Sequence, residues 1–187
     1  DAGIAAVTIH GRTVEQRYVG PANWEFLTDV CQQFPNHTIL GSGDLFTAED
    51  CVRMIRLTGV SGVTAARGSI GNPWIFSQAA ELLAGRPLPS PPSVAEQRAV
   101  IAEHFRLACT VYSEKRAVKQ LRKFGMRYAD WHPQGDLVRA AFISVNQIDQ
   151  WQAVLQDWYS SDTPGIYPSS PGLPKPPRQI GAATDFA

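Results

Sequence analysis

Cysteine is scarce and unpatterned: Cys31, Cys51 and Cys109 are the three in 187 residues, and no two form a CxxC pair. An odd number of scattered thiols argues against a disulfide framework and supplies no zinc-ligand spacing, so no metal site is expected. Long apolar runs are missing as well. No window approaches the ~18 uninterrupted apolar residues of a membrane span. The start lacks the charged and apolar regions of a secretory signal, so a cytoplasmic setting without a membrane partner is the expectation. Charge of one sign is absent overall, since 17 basic side chains balance 17 acidic ones. With 44% hydrophobic residues the chain has the composition of a globular protein of one or two domains. It opens Asp1-Ala2-Gly3 and enters an apolar strand at once, which reads as a piece of a longer protein.

Proline divides what is there. Residues 84–93, AGRPLPSPPS, hold four prolines, which cannot continue helix or sheet, so 86–93 reads as a linker. Residues 161–187 hold six prolines and three glycines with few large apolar groups, and read as a disordered tail.

Between residues 1 and 85, strand and helix alternate. Apolar runs at Ile4–Ile9, Thr38–Leu40 and Gly62–Ala66 read as strands. Helices are expected over Asn23–Phe34, from Thr47 with Asp50 three residues on as a capping box, and beyond Asn72-Pro73. Strands joined by single helices are parallel, and eight such units make a (β/α)8 barrel of ~250 residues. Three units therefore predict the C-terminal part of such a barrel, its other five units lying N-terminal. Residues 94–160 show no strand signal. Four helical stretches, Glu96–Tyr112, Lys115–Tyr128, Asp136–Ser144 and Gln147–Tyr159, predict a small four-helix bundle.

Each strand ends in polar or glycine-rich sequence: His10-Gly11-Arg12-Thr13, Ser42-Gly43-Asp44 and Ala66-Arg67-Gly68-Ser69. In a (β/α)8 barrel such ends form the active site, and glycines before helix starts suit a phosphate, to which Arg67 adds a forked cation. Taken singly, each motif also has a plain structural reading: a hydrogen-bonded histidine, a turn, a salt bridge. Further on, Lys115, Arg116, Lys119, Arg122, Lys123 and Arg127 lie within thirteen residues that contain no acid. At helical spacing they share one face, opposite Val118, Leu121, Phe124 and Tyr128, and a cationic face of this kind suits nucleic-acid phosphates.

The ordered triplet IHGRT, ILGSGD and ARGSIGNPWIF resembles the tRNA-dihydrouridine synthase family, particularly its bacterial B-type or nitrogen-regulation-like branch, over roughly residues 3–158. The resemblance implies an FMN-dependent enzyme that uses NADPH to reduce the C5–C6 double bond of uridine in tRNA, with a helical C-terminal domain that helps hold the tRNA. It implies that His10 lies beside the flavin, that Ser42, Gly43 and Asp44 touch it, and that Ala66 and Arg67 hold its phosphate. Arg12 and the six basic residues of 115–127 are expected at the tRNA. Ser42 stands where the family has Asn and Ala66 where it has Gly. The family's catalytic cysteine lies in an Asn-x-Gly-Cys-Pro segment, and neither that segment nor the flavin-contacting lysine occurs here. All three cysteines are expected to be packing residues, and this chain by itself is expected to be inactive. A small-molecule FMN enzyme of dihydroorotate dehydrogenase type, and a noncatalytic RNA-binding fragment, are the alternative readings.

Overall fold

A computed structural model describes residues 3–17 and 19–169. Three parallel strands, β1 (Val7–His10), β2 (Ile39–Ser42) and β3 (Gly62–Val63), form one sheet in the order β1-β2-β3. Helix α1 (Trp24–Gln33) connects the first pair and α2 (Ala48–Thr58) the second, while a 3-10 turn (Arg67–Ser69) and α3 (Ile75–Leu83) follow β3. The expected α/β alternation is present in order, with local corrections. Strand β1 starts at Val7 rather than Ile4, because its pairing begins where Val7 donates to Thr38 O, at 3.0 Å. Strand β3 is shorter than the expected Gly62–Ala66 and among the described residues pairs with β2 alone, through Leu40↔Gly62 and Gly41↔Val63.

Local signals set the helix ends. Asn23 caps α1 by accepting from Phe26 N–H at 3.0 Å. Thr47 and Asp50 form the reciprocal capping box at α2, and Gly59 ends that helix in the left-handed region at φ 77°. A second box, Ser93 with Glu96, starts α4 (Val94–Val111) directly after the prolines. Helices α5 (Glu114–Tyr128), α6 (Gly135–Ser144) and α7 (Ile148–Trp158) follow among the described residues, with a 3-10 turn (Ala129–Trp131) before α6.

Two separate apolar cores result. Leu27, Ile39, Cys51, Met54, Val60 and Ile75 lie between the sheet and α1–α3. Ile101, Val118, Leu121, Phe142, Trp151 and Tyr159 lie among α4–α7. The units meet where Trp74, just before α3, places its ring 5.1 Å from Trp131 and 6.2 Å from Tyr128. Gly71 presses on the last turn of α5 so closely that a Cβ there would come within 2.4 Å of Arg127 Cβ. Of the expected tail, Thr163 and Ile166 correct the reading: their backbones are hydrogen-bonded to Val94 and Trp131. Residues 170–187 lie outside the described residues. Among the described residues no helix is long and apolar enough to cross a membrane.

Candidate functional site

Parallel pairing in register brings the three polar strand ends to one edge of the sheet. His10 stands opposite Ser42, and the chain continues from β3 through Thr64 into Ala66 and Arg67. His10, Ser42, Gly43, Asp44, Ala66 and Arg67 line one shallow depression, together with Leu45, Phe46 and Thr64. These six are the residues singled out for the flavin, drawn from segments more than fifty positions apart.

Asp44 is the electrostatic centre. It occupies the left-handed region at φ 54°, unusual for a residue with a side chain. Its carboxylate accepts two hydrogen bonds from Arg12 Nη2, at 2.8 and 2.6 Å, one from Arg67 Nη2 at 3.1 Å and one from Ala22 N–H at 2.7 Å. Arg12 also reaches the carbonyls of Arg17 and Val19, at 3.4 and 3.3 Å, and its side chain is only 3% exposed. This corrects the placement of Arg12 at a nucleic-acid surface: the guanidinium is spent inside the fold, tying the loop after β1 to the end of β2. Arg67, 32% exposed, lies with its guanidinium 5.1 Å from the centre of the Phe46 ring. Phe46 was not singled out from sequence. Its available signal was an apolar residue just before the Thr47 cap, the position of a hydrophobic staple.

Close approach between loops depends on Gly68, where a Cβ would fall 2.0 Å from Leu45 O and 2.8 Å from Phe46 Cα. Ser42 Oγ donates to Thr64 O at 3.1 Å, so toward a ligand this hydroxyl can offer only lone pairs. Arg67 is the cation that lines the depression, with its guanidinium beside the Asp44 carboxylate. A forked guanidinium at this edge suits an anionic group such as a phosphate ester.

Partial burial pushes the Asp44 carboxyl up, but the hydrogen bonds from Arg12 and Ala22 and the charges of Arg12 and Arg67 outweigh it, holding the group below its ordinary value of 3.8. The folded state therefore binds this proton less readily than the unfolded state. The ionised carboxylate contributes stability that is fully present above about pH 4 and lost as the pH falls through the folded value. Urea denaturation between pH 2.5 and 7 is expected to show Asp44→Asn losing less stability on acidification than the unaltered chain. Parallel pH profiles would show that this carboxylate is not linked to folding.

Helix α5 buries Ala117, Val118, Leu121, Gly125 and Tyr128. Lys115, Arg116, Lys119, Lys123 and Arg127 are exposed, and Arg122 is half-buried with Nη1 donating to Asn146 Oδ1 at 3.3 Å. Arg116 lies 4.9 Å from the centre of the Tyr112 ring. Among the described residues none of the six basic side chains is in an ion pair. Through Arg127 and Gly71 this helix is four residues of chain away from Arg67.

The thiols lie elsewhere. Cys51 is 2% exposed, and burial, then the Asp50 carboxylate, pushes it up to about 11. Burial also raises Cys31 and Cys109, which pack against the two cores. Raised thiols carry little thiolate at neutral pH, the opposite of what a nucleophile needs.

The family described as dihydrouridine synthase (Dus) matches residues 1–161. A probable tRNA-dihydrouridine synthase of Mycobacterium leprae is 34% identical over 153 residues, 82% of this chain and 40% of that protein. The tRNA-dihydrouridine synthase B of Xanthomonas campestris is 31% identical over 170 residues, 90% of this chain and 50% of that protein. A probable tRNA-dihydrouridine synthase of Treponema pallidum is 39% identical over 132 residues, 69% of this chain and 38% of that protein. The chain thus spans half or less of the length of these curated relatives.

Proposed function

Since the chain belongs to the dihydrouridine synthase family, we propose that it is the cofactor-phosphate and tRNA-docking part of an FMN-dependent tRNA-dihydrouridine synthase. The observation that carries this reading is the convergence of His10, Ser42, Gly43, Asp44, Ala66 and Arg67 in one depression at the strand ends. The three βα units are the C-terminal part of a (β/α)8 barrel, whose ligands sit at the C-terminal strand ends. Residues 86–93 link it to the helical unit of 94–160.

Arg67 and the backbone around Ala66 hold the flavin phosphate, while His10 and the Ser42-Gly43 backbone border the rest of the cofactor. Bound there, FMN supplies a hydride for the C5–C6 double bond of a tRNA uridine, with NADPH as the source of its electrons. Asp44 keeps Arg12 and Arg67 in place and does not itself receive the phosphate, since an anion would be repelled by its carboxylate. The exposed cations of α5 track tRNA phosphates beside the site. A target uridine leaves its stack to reach a buried cofactor, as in other base-modifying enzymes.

The test is flavin retention. Expressed with all in-frame coding sequence that precedes Asp1, the protein is expected to purify yellow, with the absorbance of oxidised flavin. Arg67→Ala is expected to weaken flavin affinity by about 1.5–3 kcal/mol, the range for a charge-assisted hydrogen bond. A colourless protein, or equal occupancy of both forms after dialysis, would overturn the assignment.

A further inference from the structure

The segment after α7 has no regular secondary structure, yet it is held at Asp162, Thr163 and Ile166. Thr163 O accepts from Val94 N–H at 2.9 Å, and Asp162 Oδ1 accepts from Ala95 N–H at 3.4 Å. Both donors belong to the first turn of α4, whose N–H groups have no partner within the helix. Ile166 N–H donates to Trp131 O at 2.9 Å, and the same carbonyl accepts from Gln97 Nε2 at 3.0 Å. Gln97 is fully buried, and its Nε2 also donates to Pro92 O at 2.9 Å. Gly165 lies against that connector so closely that a Cβ would come within 2.0 Å of Pro92 O.

Tyr167 completes the arrangement. Its hydroxyl donates to Pro89 O, and its ring lies 5.7 Å from that of Trp131, which in turn lies 5.1 Å from that of Trp74 in the α/β unit. Burial and the Glu49 carboxylate of α2 push the Tyr167 hydroxyl up, which keeps it protonated as a donor. A connector with four prolines lacks four N–H groups by which it could be held, so its carbonyls carry that duty. Pro89 O and Pro92 O are the two that are caught.

We propose that residues 161–168 are a strap that fixes the Pro-rich connector to α4 and Trp131, and thereby sets how the helical unit stands against the α/β unit. The strap goes beyond the enzymatic reading and acts in the chain whether or not tRNA or flavin binds.

Amide hydrogen exchange and small-angle X-ray scattering on the full 187-residue chain test it. Gly165→Ala forces the strap off Pro92, and Ile166→Pro removes the donor to Trp131 O. In both variants Val94 and Ala95 amides are expected to exchange about tenfold faster or more, while amides of α2 and α6 keep their rates, as for a local opening. The radius of gyration is expected to rise in both. Wild-type exchange at Val94 and Ala95, or a wild-type radius of gyration, would overturn the proposal. Equal acceleration in every helix would also overturn it, by making the segment an ordinary contributor to global stability. Tyr167→Phe, which adds no atoms, is the variant to read where Ile166→Pro does not fold, and it is expected to accelerate the same two amides.

Discussion

Asp44→Ala is expected to destabilise the α/β unit by about 3–5 kcal/mol, the cost of leaving a buried charge without its partner. The Arg12 side chain is 3% exposed, and both of its short ionic contacts end on this one carboxylate. What remains after the substitution is two long hydrogen bonds, to Arg17 O at 3.4 Å and Val19 O at 3.3 Å. Neither carries the formal charge needed to offset desolvation of a guanidinium. Ala22 N–H loses its acceptor in the same step. Part of the effect is conformational, because alanine tolerates the left-handed backbone at position 44 less well than aspartate. Asp44→Asn isolates the backbone contribution, since asparagine accepts that conformation while losing the charge and exchanging one acceptor oxygen for an NH2 donor. Arg12→Met placed on Asp44→Ala is expected to recover much of the loss, by removing the uncompensated cation while keeping the bulk. Urea denaturation followed by circular dichroism measures all four proteins. A loss below about 1 kcal/mol for Asp44→Ala would show that Arg12 finds other compensation.

The contrast between Arg12 and Arg67 marks how far a sequence reading reaches. Helix starts depend on residues three positions apart, so the Thr47–Asp50 box is visible in a linear string and recurs in the fold. The convergence of three strand ends follows from parallel pairing with near-equal spacing, and it too is legible before any coordinates. Whether an arginine faces solvent or a carboxylate 32 residues away depends on register and loop course, which no local pattern encodes. Arg12 and Arg67 both follow a strand, yet the first is enclosed at 3% exposure and the second stays at 32%. Residues 161–168 fail to be read for a related reason. Their composition is that of a disordered segment, but the carbonyls of the prolines and the open first turn of α4 supply partners that composition cannot reveal. Ser42 illustrates the same dependence on pairing. Ser42 turns its hydroxyl to Thr64 O, an inter-strand bond available only once β2 and the end of β3 are side by side.

Reversing Lys119 and Lys123 together to glutamate is expected to weaken tRNA binding by this chain about 10- to 100-fold at 50 mM salt. Both side chains are exposed, four residues apart on α5, and on the opposite side from the buried Val118, Leu121 and Gly125. Among the described residues neither is in an ion pair, so their charge is available to an incoming polyanion. Phosphate contacts position a nucleic acid without reading its bases, so the loss should be about equal for unrelated tRNAs. Each lost contact removes roughly 0.7–0.9 from the slope of log affinity against log salt, so the pair should flatten that slope by about 1.5 or more. The helix should persist, since glutamate is a good helix former and neither position packs. Circular dichroism is the control for that. Because Arg67 and the depression around Asp44 are untouched, flavin affinity of the complete protein should not change. Binding curves at several salt concentrations decide the matter. Equal affinities with equal slopes would make the cationic face a solvated surface, and would leave the strand-end depression as a site for a small molecule alone.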